Sequence, residues 1–243
     1  MTPDLGALTS GAARGADGIV RAGELPSDAR PAAVVNRLGL AARLYEPLWR
    51  RRSMGLLTWG AFGTDRELAR LTGWLDPADG ARLLDVGCGA GFYLRALAGA
   101  ASGLRLHGLD ASPAFLREAR RRLEEAGIDA TLTLGDAGSL PYRDGVFDGV
   151  AFGGTPNEVR DRPAALTEIA RVTRPGAPVF LMAAVRAATP FGRLAQLALG
   201  AGGIATPPAD RLLGEAEEAG LRVERVERRP PVAVALLRRP DGS

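Results

Sequence analysis

One stretch constrains this chain more than any other: LLDVGCGAG, residues 83–91. An apolar run ends in Asp85, glycines follow at 87, 89 and 91, and a helical pattern begins at Phe92. Only glycine enters positive-φ backbone at little cost, so the spacing predicts a tight turn between a strand and a helix. Such a turn after the first strand is where open α/β sheets receive nucleotides. The dinucleotide fingerprint G-x-G-x-x-G is not met, because the third glycine comes one residue early and Phe92 stands in its place. A phosphate loop of the G-x-x-x-x-G-K type is also absent. The chain has no lysine to complete one, and all 31 of its basic residues are arginine.

The rest of the sequence supplies the matching rhythm. Apolar strand-like runs at 81–86, 104–109, 130–134, 146–152 and 177–185 alternate with helical patterns at 92–100, 113–126, 164–172 and 209–219. Ser112 and Pro113 read as N-cap and first-turn residues, and Gly127 as a helix stop. Alternation of this kind predicts a mostly parallel sheet covered on both faces. Two final strands at 221–226 and 232–237 are separated only by residues 228–231, too few for a crossover helix, so they pair antiparallel. Residues 1–32, rich in Ala and Gly and without an aromatic residue, read as a flexible arm. Residues 33–79, which hold Tyr45, Trp49, Trp59 and Trp74, read as an N-terminal helical cap, with Thr64 and Glu67 as a capping box. Residues 80–243 form the main α/β domain.

Two further acids close the ends of the next strands: Asp110 ends LRLHGLD and Asp136 ends TLTLGD. Three carboxylates, Asp85, Asp110 and Asp136, thus fall at the carboxyl ends of three consecutive strands, the edge where a doubly wound sheet binds its ligand. An acid after the second strand suits a ribose diol, and one after the third suits the amino edge of adenine.

Four segments in this order, LLDVGCGAG (83–91), GLDAS (108–112), LGDAGSLPYRDGVFDGV (134–150) and IARVTRPGAPVFL (169–181), resemble the class I S-adenosylmethionine-dependent methyltransferases. The resemblance implies a doubly wound, seven-stranded sheet of order 3-2-1-4-5-7-6 with the last strand antiparallel. It implies S-adenosyl-L-methionine as cofactor, a small methyl acceptor, and these roles. Gly87, Cys88, Gly89 and Gly91 form the loop along the methionine part, with Asp85 near its ammonium end. Asp110 holds the ribose hydroxyls with Ala111 beside the adenine, and Asp136 and Ala137 meet the adenine edge. Phe152 and Gly153 lie near the sulfonium. One departure is Ala177, where the family usually has the second glycine of a PGG turn. Segment 152–176 is similar to the quinone-biosynthesis methyltransferases, although Asn157 lies one residue beyond their asparagine and their arginine is missing.

The residue inventory narrows the chemistry. One cysteine, Cys88, and one histidine, His107, exclude an internal disulfide and argue against a metal centre. Methyl transfer from a sulfonium is an in-line displacement for which the protein mainly aligns the acceptor and excludes water. No catalytic base is assigned. His107 sits mid-strand and reads as structural, and Cys88 reads as a small packing residue. Hydrophobic residues at 46% and charged residues at 24% are ordinary globular composition. With 31 basic against 28 acidic residues, nothing calls for nucleic acid, so an RNA methyltransferase is disfavoured. The start of the chain lacks a signal-like pattern and no span is long enough for a bilayer, which points to the cytoplasm and leaves peripheral lipid contact open. The Ala/Gly/Leu-rich segment 189–208 is expected to cover the acceptor. A scaffold that binds the cofactor without catalysis is the rival reading.

Overall fold

The protein is described from a computed structural model, which defines residues 5–9, 13–21, 63–201 and 203–241. Tyr45, Trp49 and Trp59, expected in the helical cap, lie outside the described residues.

The described chain runs β1 (Ala13–Arg14), β2 (Val20–Arg21), α1 (Thr64–Leu75), β3 (Arg82–Val86), α2 (Phe92–Leu97), β4 (Arg105–Asp110), α3 (Pro113–Glu125) and β5 (Ala130–Leu134). It continues through β6 (Gly149–Gly153), α4 (Arg162–Val172), β7 (Pro178–Ala184), α5 (Pro190–Ala201), α6 (Ala209–Glu218), β8 (Arg222–Arg229) and β9 (Val232–Arg238). The sheet has the order β1-β2-β5-β4-β3-β6-β7-β9-β8. The neighbouring strands β2-β5-β4-β3-β6-β7 run parallel to one another, whereas β1 pairs antiparallel with β2, and β9 antiparallel with both β7 and β8.

The expected seven-stranded sheet is therefore corrected to nine strands. Strands β3 to β9 stand side by side as β5-β4-β3-β6-β7-β9-β8, and the antiparallel β1–β2 ribbon lengthens the sheet beyond β5. Residues 5–9 and 13–21, part of the stretch expected to be an unpacked arm, thus join the sheet edge and the core. The physical reason is local: Ala7, Leu8, Ile19 and Val20 are all buried, which is enough apolar surface to hold a short ribbon. Val20 and Arg21 pair with Thr133 and Leu134, and the Thr9 N–H donates to the Pro141 carbonyl at 3.0 Å.

The helices divide between two faces. Leu71 and Trp74 of α1, Tyr93, Leu94 and Leu97 of α2, and Leu116, Ala119 and Leu123 of α3 share one apolar cluster. Leu166 and Ile169 of α4 and Leu212 and Ala216 of α6 belong to the cluster on the opposite face. Helix α3 starts as its sequence predicts, with Ser112 Oγ accepting from the Phe115 N–H at 3.3 Å and Pro113 in the first turn. The expected capping box at the start of α1 does not form. Gly63, which has no side chain, is the N-cap and Thr64 already lies inside the helix, while Glu67 is buried. Among the described residues no helix is long and apolar enough to cross a membrane.

Candidate active site at the carboxyl edge of the sheet

Strand β3 lies between β4 and β6, so the loop that leaves β3 emerges beside the ends of both. Gly87, Gly89 and Gly91 have φ of 73°, 51° and 76°, the left-handed region that the sequence spacing demanded. The Gly87 and Cys88 N–H groups donate to the Leu109 carbonyl at 2.7 and 2.9 Å, which ties the loop to the end of β4. The Gly89 N–H then donates to Asp110 Oδ2 at 2.9 Å, and the Ser112 N–H to Oδ1 at 2.8 Å.

Asp110 is thus fixed at the tip of β4 with each oxygen already accepting one backbone hydrogen bond. A carboxylate offers about four lone-pair positions, so about two remain for a ligand. Burial pushes the Asp110 carboxyl above its ordinary range, opposed by the N–H groups of Ser112, Gly89 and Ala111. Ala111 beside it is exposed. Asp110 pairs in register with Leu134, and Asp136 follows two residues further along. The half-buried Asp136 accepts from the Gly138 N–H at 3.1 Å, and Ala137 is buried behind it. Phe115 of α3 closes one side: a Cβ built on Gly89 would lie 3.9 Å from its ring.

The other sequence-derived residues are placed differently from one another. Asp85 is in β3 and almost fully buried. The Phe152 side chain is wholly inside the core, so only its backbone reaches the edge, where Gly153 ends β6. Cys88 is buried, and its thiol is pushed well up by burial first and then by Asp110 and Asp85. A thiol so held stays protonated at neutral pH and is a poor nucleophile. His107 is buried among aromatic rings, 5.3 Å from Phe147 and 5.9 Å from Tyr142, away from the edge. Among the described residues no cluster of three or more His, Cys, Asp or Glu could hold a metal ion.

Thr155 and Tyr93 at this edge escaped the sequence reading, and Glu67 was read only as part of a helix cap. Thr155 Oγ1 donates to the Gly87 carbonyl at 3.0 Å, and its side chain fills the space a Cβ at Gly87 would need. Tyr93, the second residue of α2, does the same at Gly153, where its hydroxyl would be 2.3 Å from an added Cβ. Glu67 receives the hydrogen bond of that hydroxyl. The signal that was available is modest: a tyrosine two residues after the last glycine of the turn, and an acid on the inward side of an amphipathic helix. Asn157 is fastened to the scaffold. Its side-chain amide donates to the Ala184 carbonyl at 2.7 Å and to the Ala205 carbonyl, and its Oδ1 accepts from the Ala184 N–H at 2.8 Å.

Comparison with known proteins agrees with this geometry. Residues 84–181 match the family described as "Methyltransferase domain". A demethylmenaquinone methyltransferase of Symbiobacterium thermophilum is 37% identical over 117 residues, which cover 47% of this chain and 45% of that protein. A 27-O-demethylrifamycin SV methyltransferase of Amycolatopsis mediterranei is 32% identical over 170 residues, covering 68% of this chain and 62% of that protein. The chain thus spans less than two thirds of the length of either relative. Among solved structures, the [4+2]-cyclase SpnF has the same fold, with a TM-score of 0.68 over 91% of this chain and 100% of that one at 20% identity. Residues 84–181 of this chain are thus similar to a methyltransferase domain.

Proposed function

We propose that the protein is an S-adenosylmethionine-dependent methyltransferase that acts on a small apolar or amphipathic molecule. The observation that carries this reading is Asp110, held at the tip of β4 by the Gly89 and Ser112 N–H groups beside a loop of three left-handed glycines. A carboxylate with lone pairs to spare is the right acceptor for two ribose hydroxyls. The glycine loop offers backbone without side chains, which lets a ligand approach closely. The residues present therefore fit an adenosyl ligand. When bound, S-adenosylmethionine supplies a methyl carbon activated by its attachment to a sulfonium.

The chain's own contribution is placement. Asp110 orients the ribose, Asp136 and Ala137 meet the adenine edge, and residues 87–91 run along the methionine part. The space beside Gly153, at the end of β6, is taken by the Tyr93 hydroxyl. With Cys88 held as a thiol and His107 in the core, alignment and water exclusion carry the rate. The names of the sequence relatives, a demethylmenaquinone and a demethylrifamycin methyltransferase, favour a small-molecule acceptor. The segment between β7 and α6 supports an apolar one. It holds no acidic residue from Ala184 to Pro208, and α5 exposes Leu194 and Leu197.

A second reading, cofactor binding without methyl transfer, draws on the likeness to a protein described as a cyclase, since one fold hosts several reactions. Calorimetry with S-adenosylmethionine, followed by incubation with methyl-labelled cofactor and a panel of quinols, isoprenoids and polyketide hydroxyls, tests both. The methyltransferase reading expects uptake that Asp110→Ala weakens more than about tenfold, and label on at least one acceptor. Uptake with no labelled product favours the second reading, and no uptake overturns both.

A further inference from the structure

Asn157 is buried and ends the short helical turn Thr155–Asn157 that follows β6. A turn asparagine ordinarily bonds its own backbone a residue or two away. This one reaches across the fold. Its amide donates to the carbonyls of Ala184, 27 residues on, and Ala205, 48 residues on, while its Oδ1 accepts from the Ala184 N–H. Its backbone carbonyl accepts from the Ala205 N–H at 2.9 Å. Ala184 is the last residue of β7 and Ala205 follows α5, so Asn157 holds both feet of the segment that carries α5. The Arg186 N–H closes the same neck by donating to the Pro207 carbonyl at 2.9 Å. Gln196 of α5 is tied back to it, accepting from the Ala187 N–H and donating to the Val185 carbonyl.

The neck stands at the carboxyl edge of the sheet. Gly153, the end of β6, pairs in register with Met182, two residues before Ala184. Two residues before Asn157, Thr155 Oγ1 donates to the Gly87 carbonyl at 3.0 Å. One turn of three residues therefore grips the first glycine of the cofactor loop at one end and both feet of the α5 segment at the other. A ligand lying along the loop restrains Gly87, and restraint at one end of a hydrogen-bonded link lowers the entropy left to lose at the other. We infer that Asn157 is a positioning residue through which a filled cofactor loop firms the α5 segment, the one expected to cover the acceptor. This rests on the methyltransferase reading and adds an order of events to it: the acceptor side is completed after the cofactor has bound. Both amide N–H contacts of Asn157 go to backbone carbonyls, so it acts by holding the chain and takes no part in the transfer.

Trypsin tests this on the full chain, with S-adenosylhomocysteine as the probe. Cleavage after Arg193, inside α5, reads opening of the segment, because a bond within a helix is cut from its opened form. Cleavage after Arg238, which pairs with the first residue of β7 at the opposite edge, is the reference. In the unaltered protein a saturating amount of S-adenosylhomocysteine is expected to slow the Arg193 cut at least about fivefold relative to the reference. Asn157→Asp keeps the size and the acceptor for the Ala184 N–H but turns a charged oxygen toward two carbonyls. It is expected to speed the ligand-free cut about tenfold. Its calorimetric affinity for S-adenosylhomocysteine should fall by no more than the protection factor of the unaltered protein, since coupling is reciprocal. Thr155→Val keeps the shape beside Gly87 and removes the hydrogen bond. It is expected to leave the ligand-free cut within about twofold and to abolish the protection. A purely structural clasp would give faster cutting in Asn157→Asp with no dependence on ligand or on Thr155. Ligand uptake without protection, protection that survives Thr155→Val, or an unchanged cut in Asn157→Asp each overturns the inference and leaves the methyltransferase reading intact. No uptake of S-adenosylhomocysteine or S-adenosylmethionine by the unaltered protein is a distinct result, which removes that reading and the inference with it. Thermal unfolding checks each variant, and if Asn157→Asp is not folded, the unaltered protein and Thr155→Val decide.

Discussion

The glycine loop separates two effects that are usually confounded at the scale of a single residue. Gly87 and Gly89 both have positive φ, so alanine at either strains the backbone by about 1–2 kcal/mol. Their surroundings differ. A Cβ at Gly87 would lie 2.2 Å from the Thr155 side chain, whereas a Cβ at Gly89 meets nothing nearer than the Phe115 ring at 3.9 Å. Gly87→Ala therefore adds an overpacking cost of about 1–3 kcal/mol and disrupts the Thr155 hydrogen bond at 3.0 Å. The expected outcome in denaturant unfolding is a clearly larger loss for Gly87→Ala than for Gly89→Ala. Equal losses would mean that Thr155 moves aside freely and does not brace the loop. The need for glycine was legible in the sequence because it is a backbone requirement set by immediate neighbours. Thr155 was not legible, since it reaches Gly87 from 68 residues away through the pairing of β3 with β6.

Single elements show where local rules suffice and where they fail. Helix α3 obeys them: Ser112 caps it, Pro113 opens it, and Leu116, Ala119 and Leu123 form its buried stripe. Helix α1 does not, because T-x-x-E spacing describes only what Glu67 can do within its own helix. The stronger partner, Tyr93, belongs to another helix 26 residues away. Glu118 of α3 adds a charge that periodicity alone would place outside. It is buried and accepts from Arg121 at 2.7 Å and Arg122 at 2.6 Å. The Arg121 hydrogen bond first, then that of Arg122, outweighs burial and holds the carboxyl at about 2, below its ordinary 4.5. A lowered folded-state value means that the ionised form is favoured by folding. Its contribution is complete above about pH 4.5 and is lost as pH falls from there toward 2. Glu118→Gln is accordingly expected to cost about 1–3 kcal/mol at pH 7, with the gap to the unaltered protein narrowing as pH falls from about 4.5 toward 2. Chemical denaturation at several pH values measures this, and a pH-independent gap would assign the loss to packing.

At the scale of the whole molecule, the parallel core was readable because each strand from β3 to β7 is a short apolar run separated from the next by a helical or glycine signal. The β1–β2 ribbon was not. Two strands of two residues each carry no periodicity, and composition weighed the alanines and glycines of residues 1–32 more heavily than three well-placed apolar side chains. The ribbon nevertheless covers the edge of β5 and buries Leu8, Ile19 and Val20, with Ile19 and Val20 at 1% and 0% exposure. Burying each such side chain contributes about 1.5–3 kcal/mol, offset in part by the entropy of ordering the chain. Asp17 and Arg21 close the ribbon with an ion pair at 2.6 Å that is too exposed to add much. Removing residues 1–21 should therefore cost a net ~2–4 kcal/mol, a fall in Tm of about 5–15 °C for a chain of this size. It should also leave the N–H and C=O groups of β5 unpaired along one side, which is a template for association between molecules. The truncated chain is expected to melt earlier by circular dichroism and to scatter more light at high concentration, while still taking up S-adenosylmethionine, because the glycine loop and Asp110 stand three strands and two strands away from β2, respectively. A truncation that leaves both Tm and scattering unchanged would show that the ribbon decorates the sheet without stabilising it.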